Sequence, residues 1–453
     1  MTGPSTAIPV HPVLRWTLVA GALAVTAASL LILGTPAALF ILPGIVLAAV
    51  VAPRMISRPA LVLAGFLLIA VNLDHFRMGG AGVSADILLS AVLVYGLVVR
   101  AGLRRTERGW RTPAVSWIEK AFAVYLGFTF LSVVLSVSPL ESVKRFAREI
   151  EYLIIFAFVL HAALEAEDRN RIVKAIVWSS LVPCLLGFAG LAFDVPSLLG
   201  RMAPVGQERF VARISSTLSH PVTLALYLGV TITLSISLFL EGKLFRRRHL
   251  AILLAIQTAA LYLTYGRSGW IAVFAALVAL LWLRGRKKLV LLGIPVAVAA
   301  LLVFLPEFRE RWTPALEATQ ENSMLWRVSL WLHALGVFTE RPFFGSGPGT
   351  FLEHVAFSRG YASHQTWIGL LVETGVFGAL AFLILLLTTL RSMWKAFQDR
   401  LPGRDPVLEA ALASWIGFTV ASLASEPFGL PSVVIYLWVL AALGLRGRIE
   451  SQA

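Results

Sequence analysis

Long apolar runs alternate with short basic clusters along nearly the whole chain, and this alternation limits the possible folds more than any single motif does. A helix needs about 20 mostly apolar residues to cross the hydrocarbon core of a bilayer. Runs of this kind fall at 13–33, 37–52, 60–73, 84–100, 117–137, 146–163, 172–193, 218–240, 249–265, 268–283, 288–305, 365–390, 406–425 and 429–446. Hydrophobic residues make up 58% of the chain and charged residues 14%, against about 45–50% and 25% in a soluble domain. The pattern therefore predicts an all-α, polytopic integral membrane protein with about 12–14 transmembrane helices. The first run exceeds the core of a cleaved signal and more spans follow it, so it reads as a span. The single cysteine, Cys184, lies in an apolar run, which excludes an intramolecular disulfide and a thiolate metal site.

The formal charge of +14 does not point to nucleic acid as a partner. The basic residues sit between apolar runs, as membrane topology requires. With the N-terminus inside, clusters such as Arg104, Arg105, Arg108 and Arg111, then Arg246, Arg247 and Arg248, and Arg284, Arg286 and Lys287 fall in inner loops. These loops hold the larger share of Lys and Arg, and an even helix count leaves both termini cytoplasmic. Four stretches follow from this organisation: a transmembrane scaffold over 1–217, central helices over 218–305, an outer loop over 306–364 and C-terminal helices over 365–453.

Several arginines fall on the outer side, where topology disfavours them. Arg145 and Arg148 are three residues apart on a helix face. Arg267 interrupts an apolar stretch in a hairpin too short to leave the interface, and Arg213 precedes a span. Guanidinium groups stay charged and fork onto phosphate oxygens, so an outer cluster of them suits a pyrophosphate. The alternative is snorkelling to headgroups of membrane lipids, or pairing with Glu149, Glu151 or Glu208.

The outer loop carries a helix capped by Asn322 or Ser323 and running to about Phe338, with Arg327, Trp331 and Ala334 on one face and Leu325, Val328, Leu332 and Leu335 on another. That is the pattern of a short amphipathic helix at the interface. Gly345, Gly347 and Gly349 follow in Gly345-Ser-Gly-Pro-Gly349. They permit close backbone approach, as an anion nest or as a tight turn. Ser363 reads as an N-cap, which puts His364 in the first turn of the next span, where the helix dipole favours a neutral imidazole able to act as general base. Gln365 adjoins it, His220 precedes a span near Arg213, and Glu373 lies deeper in the helix begun near His364. A carboxylate at that depth is costly and calls for a cation or an orienting role.

The segments Leu263-Thr-Tyr-Gly-Arg-Ser-Gly269, Trp326-Arg327 to Arg341-Pro342, Gly345-Ser-Gly-Pro-Gly-Thr-Phe351 and Ser363-His-Gln-Thr-Trp to Gly378 resemble the O-antigen ligase and polymerase superfamily of bacterial envelope glycan enzymes. The resemblance covers about 260–390. The family has His-Asn where this chain has His364-Gln365. It implies a metal-independent, inverting glycosyltransferase of the bacterial inner membrane, without cofactor and with its active site facing the periplasm. The donor it implies is a glycan on undecaprenyl pyrophosphate, and the acceptor a hydroxyl of lipid A–core or another glycan. His364 would be the base, Arg213, Arg267 and Arg327 would hold the pyrophosphate, and a chain-length regulator is an expected partner. A polymerase using a second lipid-linked repeat shares this chemistry. A flippase of lipid-linked oligosaccharide is the reading from another class, but it would show paired repeats with broken helices.

Overall fold

The computed structural model describes residues 58–72, 77–78, 83–84, 116–161, 166–205, 209–218, 220–290, 295, 323–355, 363–399 and 404–452. The expected spans at 13–33, 37–52 and 84–100, and nearly all of that at 288–305, lie outside these residues. In chain order the described elements are α1 (Pro59–Ala70), β1 (Arg77–Met78), β2 (Val83–Ser84), α2 (Trp117–Val134), α3 (Pro139–His161), α4 (Ala166–Ser179), α5 (Leu181–Ala192), β3 (Leu199–Val205), β4 (Arg209–Ile214), α6 (Pro221–Glu241), α7 (Arg247–Leu263), α8 (Arg267–Leu283), α9 (Ser323–Glu340), α10 (Phe351–His354), α11 (Thr366–Asp399), α12 (Pro406–Ala421) and α13 (Pro431–Gln452). This is an all-α polytopic membrane architecture. Among the described residues four runs are long and apolar enough to cross a membrane: Trp117–Val134, Ala166–Ala192, Pro221–Glu241 and Thr366–Asp399. The chain divides into two compact units, one of residues 1–113 with 162–179, the other of 114–161 with 180–453. In the first, α1 packs on α4. All the candidate site residues belong to the second.

In the second unit α6, α8 and α12 pack tightly together. Glycines allow it: a Cβ on Gly269 would overlap Ala225 of α6, and one on Gly417 would strike the Ala272 carbonyl of α8. Helices in lipid gain most of their association energy from such close approach. Around them α2 packs on α11 and α13 on α3, and Trp415 and Trp438 meet with ring centroids 4.7 Å apart.

The structure corrects several sequence expectations. The span read at 172–193 falls within the apolar run Ala166–Ala192, which has a turn at Ser180 between α4 and α5. Pro183 stands in the first turn of α5, where its missing N–H is tolerated. Helix α3 starts at Pro139, seven residues before the expected 146, so Arg145 and Arg148 lie inside a helix rather than at its outer end. An antiparallel hairpin, β3 with β4, precedes α6 and puts Arg213 on a strand opposite Gly200. The β-branched and aromatic residues Phe210, Val211 and Ile214 suit it to extended backbone. Helix α9 occupies 323–340 as expected, with Leu330 and Ala334 buried and Val328, Leu332 and Leu335 exposed.

Candidate active site

Three elements bring cationic side chains together. Arg213 comes from β4, buried, and its Nε donates to the Thr264 carbonyl at 2.8 Å. Thr264 closes α7, and its hydroxyl accepts the Gly266 N–H, which fixes the turn that presents Arg267 as the first residue of α8. Tyr265 in this turn takes a left-handed φ of 47°. Arg327 comes from α9. Burial, then the charge of Arg267, pushes the Arg213 guanidinium down to about 10 and holds Arg327 below its usual range too. Arg267 thus repels both Arg213 and Arg327 in a partly desolvated place, a repulsion that an anionic ligand would relieve.

His364 joins this cluster. Burial first, then the charges of Arg327 and His220, push its imidazole down to about 4, so it is neutral at physiological pH. His220 is the N-cap of α6, its Nδ1 accepting the Val222 N–H at 3.1 Å. An accepting Nδ1 leaves the proton of a neutral ring on Nε2. The site therefore unites His364, Arg213, Arg267, Arg327 and His220, which lie far apart in sequence.

His364 does not stand in the first turn of a helix, as the sequence suggested. Helix α11 begins at Thr366, and the side chain of Gln365 caps it by accepting the Ile368 N–H. The Gln365 amide is thus engaged in shaping the turn. His364 sits before the cap with φ of 53°, an uncommon and strained backbone for a residue other than glycine. Neighbours hold it there: Trp331 Nε1 donates to the Ser363 carbonyl at 3.0 Å, and the Thr366 N–H donates to the Ser425 carbonyl at 3.0 Å. Ser363 is not the cap of α11: its hydroxyl accepts the Gln365 N–H at 3.3 Å and lies against the Gln365 carbonyl at 2.9 Å and Glu426 Oε2 at 3.1 Å.

The glycine loop is used differently from a ligand nest. Gly345, Gly347 and Gly349 have φ of 71°, 113° and 81°. The N–H groups of Ser346 and Gly347 donate to the carbonyls of Val372 and Glu373 at 2.9 and 2.8 Å. Those carbonyls are available because α11 breaks at Gly375, with φ 65° and ψ −172°. The loop is filled by the protein's own carboxyl: the Glu373 side chain accepts from the backbones of Gly349 and Phe351. Arg145 donates to the carbonyls of Gly429 and Phe428 and pairs with Glu149 at 3.3 Å. Arg148 pairs with Glu151 at 3.5 Å. Both arginines therefore take the ion-pair alternative of the sequence reading, and their charges are already matched within α3.

Arg145, Glu149, Glu373 and Glu426 line one cavity of about 40 Å³, walled by Phe122, Phe382, Trp415, Phe428 and Trp438. This is room for about three or four waters at roughly 10–15 Å³ each. The sequence reading missed Glu426. Its signal was there to see: a lone carboxylate between two apolar runs.

Residues 249–383 match the family model described as O-antigen ligase. No curated protein matches the chain. The matched segment, just under a third of the chain, holds Arg267, Arg327, the three loop glycines, His364, Gln365 and Glu373, while Arg213, His220, Arg145, Arg148 and Glu426 lie outside it. Over residues 249–383 this membrane protein matches the O-antigen ligase family model, which supports membership of that segment in the O-antigen ligase and polymerase superfamily.

Proposed function

We propose that the protein is a metal-independent, inverting glycosyltransferase that moves a glycan from undecaprenyl pyrophosphate to an acceptor hydroxyl at the periplasmic face of the inner membrane. The observation that carries this reading is a neutral, half-buried imidazole within the field of Arg327, which Arg267 links to Arg213. The acceptor oxygen attacks the anomeric carbon from the face opposite the pyrophosphate, and its proton goes to His364. The bond from the anomeric carbon to the phosphate oxygen breaks, and its electron pair leaves with the pyrophosphate. Arg213, Arg267 and Arg327 meet the charge that grows on that oxygen, an electrostatic contribution that can reach several kcal/mol, about 2.7–4 for a single donor. Direct displacement inverts the anomeric centre.

Of the two acceptor classes, lipid A–core or another glycan makes the protein a ligase and a second lipid-linked repeat makes it a polymerase. A glycan profile of a deletion strain carrying either the wild-type gene or His364→Ala separates them. Long undecaprenyl-linked chains that never reach an acceptor in the mutant identify a ligase. Single lipid-linked repeats identify a polymerase. A folded, membrane-inserted His364→Ala protein with wild-type profile overturns the reading.

A further inference from the structure

The turn that carries His364 is held by a carboxyl group from another part of the bundle. Glu426 follows α12, and its Oε2 lies 3.1 Å from the Ser363 hydroxyl. Two glycines admit it. A Cβ on Gly429 would stand 2.8 Å from Glu426 Cγ, and one on Gly369 would stand 2.8 Å from Ser363 Oγ. The pair is thus packed between the loop after α12 and the first turns of α11, one residue from the imidazole.

Ser363 has one hydroxyl hydrogen and two acceptors in reach, the Gln365 carbonyl at 2.9 Å and Glu426 at 3.1 Å. Ser363 serves both at once when it donates to Gln365, whose carbonyl also accepts the Gly369 N–H at 3.1 Å, and a protonated Glu426 donates to Ser363. The charges in the cavity agree. Three carboxyls, Glu149, Glu373 and Glu426, share it with one guanidinium, Arg145, and with the Tyr125 phenol. Glu149 has the ion pair with Arg145, and Glu373 has the amides of Gly349 and Phe351. Glu426 has a hydroxyl, the partner that best suits a neutral acid. An ionised carboxylate buried without a matching charge is expensive.

We propose that protonated Glu426 is a positioning residue for His364, its acid hydrogen bonding Ser363 and so locking the strained turn that aims the imidazole. Deprotonation turns Glu426 from donor into acceptor, pulls the Ser363 hydrogen off Gln365 and loosens that turn. Burial first, then the charge of Glu373, pushes the Glu426 carboxyl up to about 7 against the opposing pull of Arg145. The acid form dominates below that value, so positioning is complete there and is lost as pH rises through it.

This inference rests on His364 being the base proposed above, and the test keeps the two apart. Purified wild type, Glu426→Gln, Glu426→Ala, Ser363→Ala and His364→Ala are supplied with lipid-linked glycan extracted from the deletion strain, and kcat and KM are followed against pH. The expected wild-type kcat falls as pH rises through about 7. Glu426→Gln, which still donates a hydrogen bond, abolishes that alkaline limb and keeps kcat within about threefold, while Glu426→Ala and Ser363→Ala lower kcat by up to about 100-fold with little change in donor KM. Infrared titration of the purified protein should lose one carboxylic-acid band in Glu426→Gln, a readout that holds even where the alanine variant does not fold. A wild-type alkaline limb in Glu426→Gln, an unchanged infrared band, or wild-type kcat in Glu426→Ala overturns the inference. Full activity in His364→Ala overturns the catalytic reading instead.

Discussion

At the scale of single residues, the chemistry depends on charge states that burial sets. A base must be neutral to accept a proton, and His364, pushed down to about 4, is neutral through the physiological range. The sign is direct: the competent form exists above that value and is lost as pH falls through it. Transfer by the purified enzyme is therefore expected to hold down to about pH 5 and to collapse near 4, wherever the fold survives. Arg213 has two tasks, a bond from Nε to Thr264 and a charge presented to the cluster. Lysine keeps the charge but has no Nε and no fork. Arg213→Lys should thus lower kcat/KM by about 10- to 100-fold, the kinetic equivalent of roughly 1.5–3 kcal/mol for a hydrogen bond to a charged group. Kinetics equal to wild type would show that charge alone suffices at this position.

At the scale of elements, the break in α11 organises both the glycine loop and the acidic cavity. Gly375 has a backbone conformation that an L side chain adopts only with strain, and a Cβ there would run into the carbonyl of Phe343. The break frees the carbonyls of Val372 and Glu373 for the loop amides, while the Val376 N–H donates to Pro342 at 2.8 Å. Gly375→Ala is expected to destabilise the protein by about 1–3 kcal/mol or more and to lower its melting temperature in detergent. An unchanged melting temperature would mean that the break costs little to lose. In the sequence, Gly375 and Gly378 stand in an apolar run, where glycines suit close helix packing. A positive φ within an apolar run has no local signature, because the tertiary contact with Phe343 enforces it.

At the scale of the whole second unit, one buried ion pair fixes α6, α8 and α12 at the end opposite the candidate site. Arg284, just after α8, meets Glu409 of α12 at 2.6 Å and also donates to the Ser237 carbonyl of α6 at 3.0 Å. Removing one partner of such a pair leaves a lone buried charge and typically costs about 3–5 kcal/mol, whereas replacing both with apolar groups can be neutral. Arg284→Met should therefore melt well below wild type, and Arg284→Met with Glu409→Leu should recover most of the loss. Equal melting of the two variants would show the charges to be independent.

The sequence by itself determined the class. Apolar runs of bilayer length, separated by basic clusters, allow only membrane-spanning helices, because backbone polar groups in lipid must be satisfied within the segment. It also carried His364, Arg267 and Arg327, whose residue types are out of place in such a chain unless they serve a site. The tertiary structure decided which polar groups share a space. It joined Arg213 to the turn after α7 and matched Arg145 and Arg148 with carboxylates. It filled the glycine loop with Glu373, and set Glu426 behind His364. Hydropathy reports the tendency of each segment to enter the bilayer, whereas charge matching depends on distances between segments, which no single run of residues encodes.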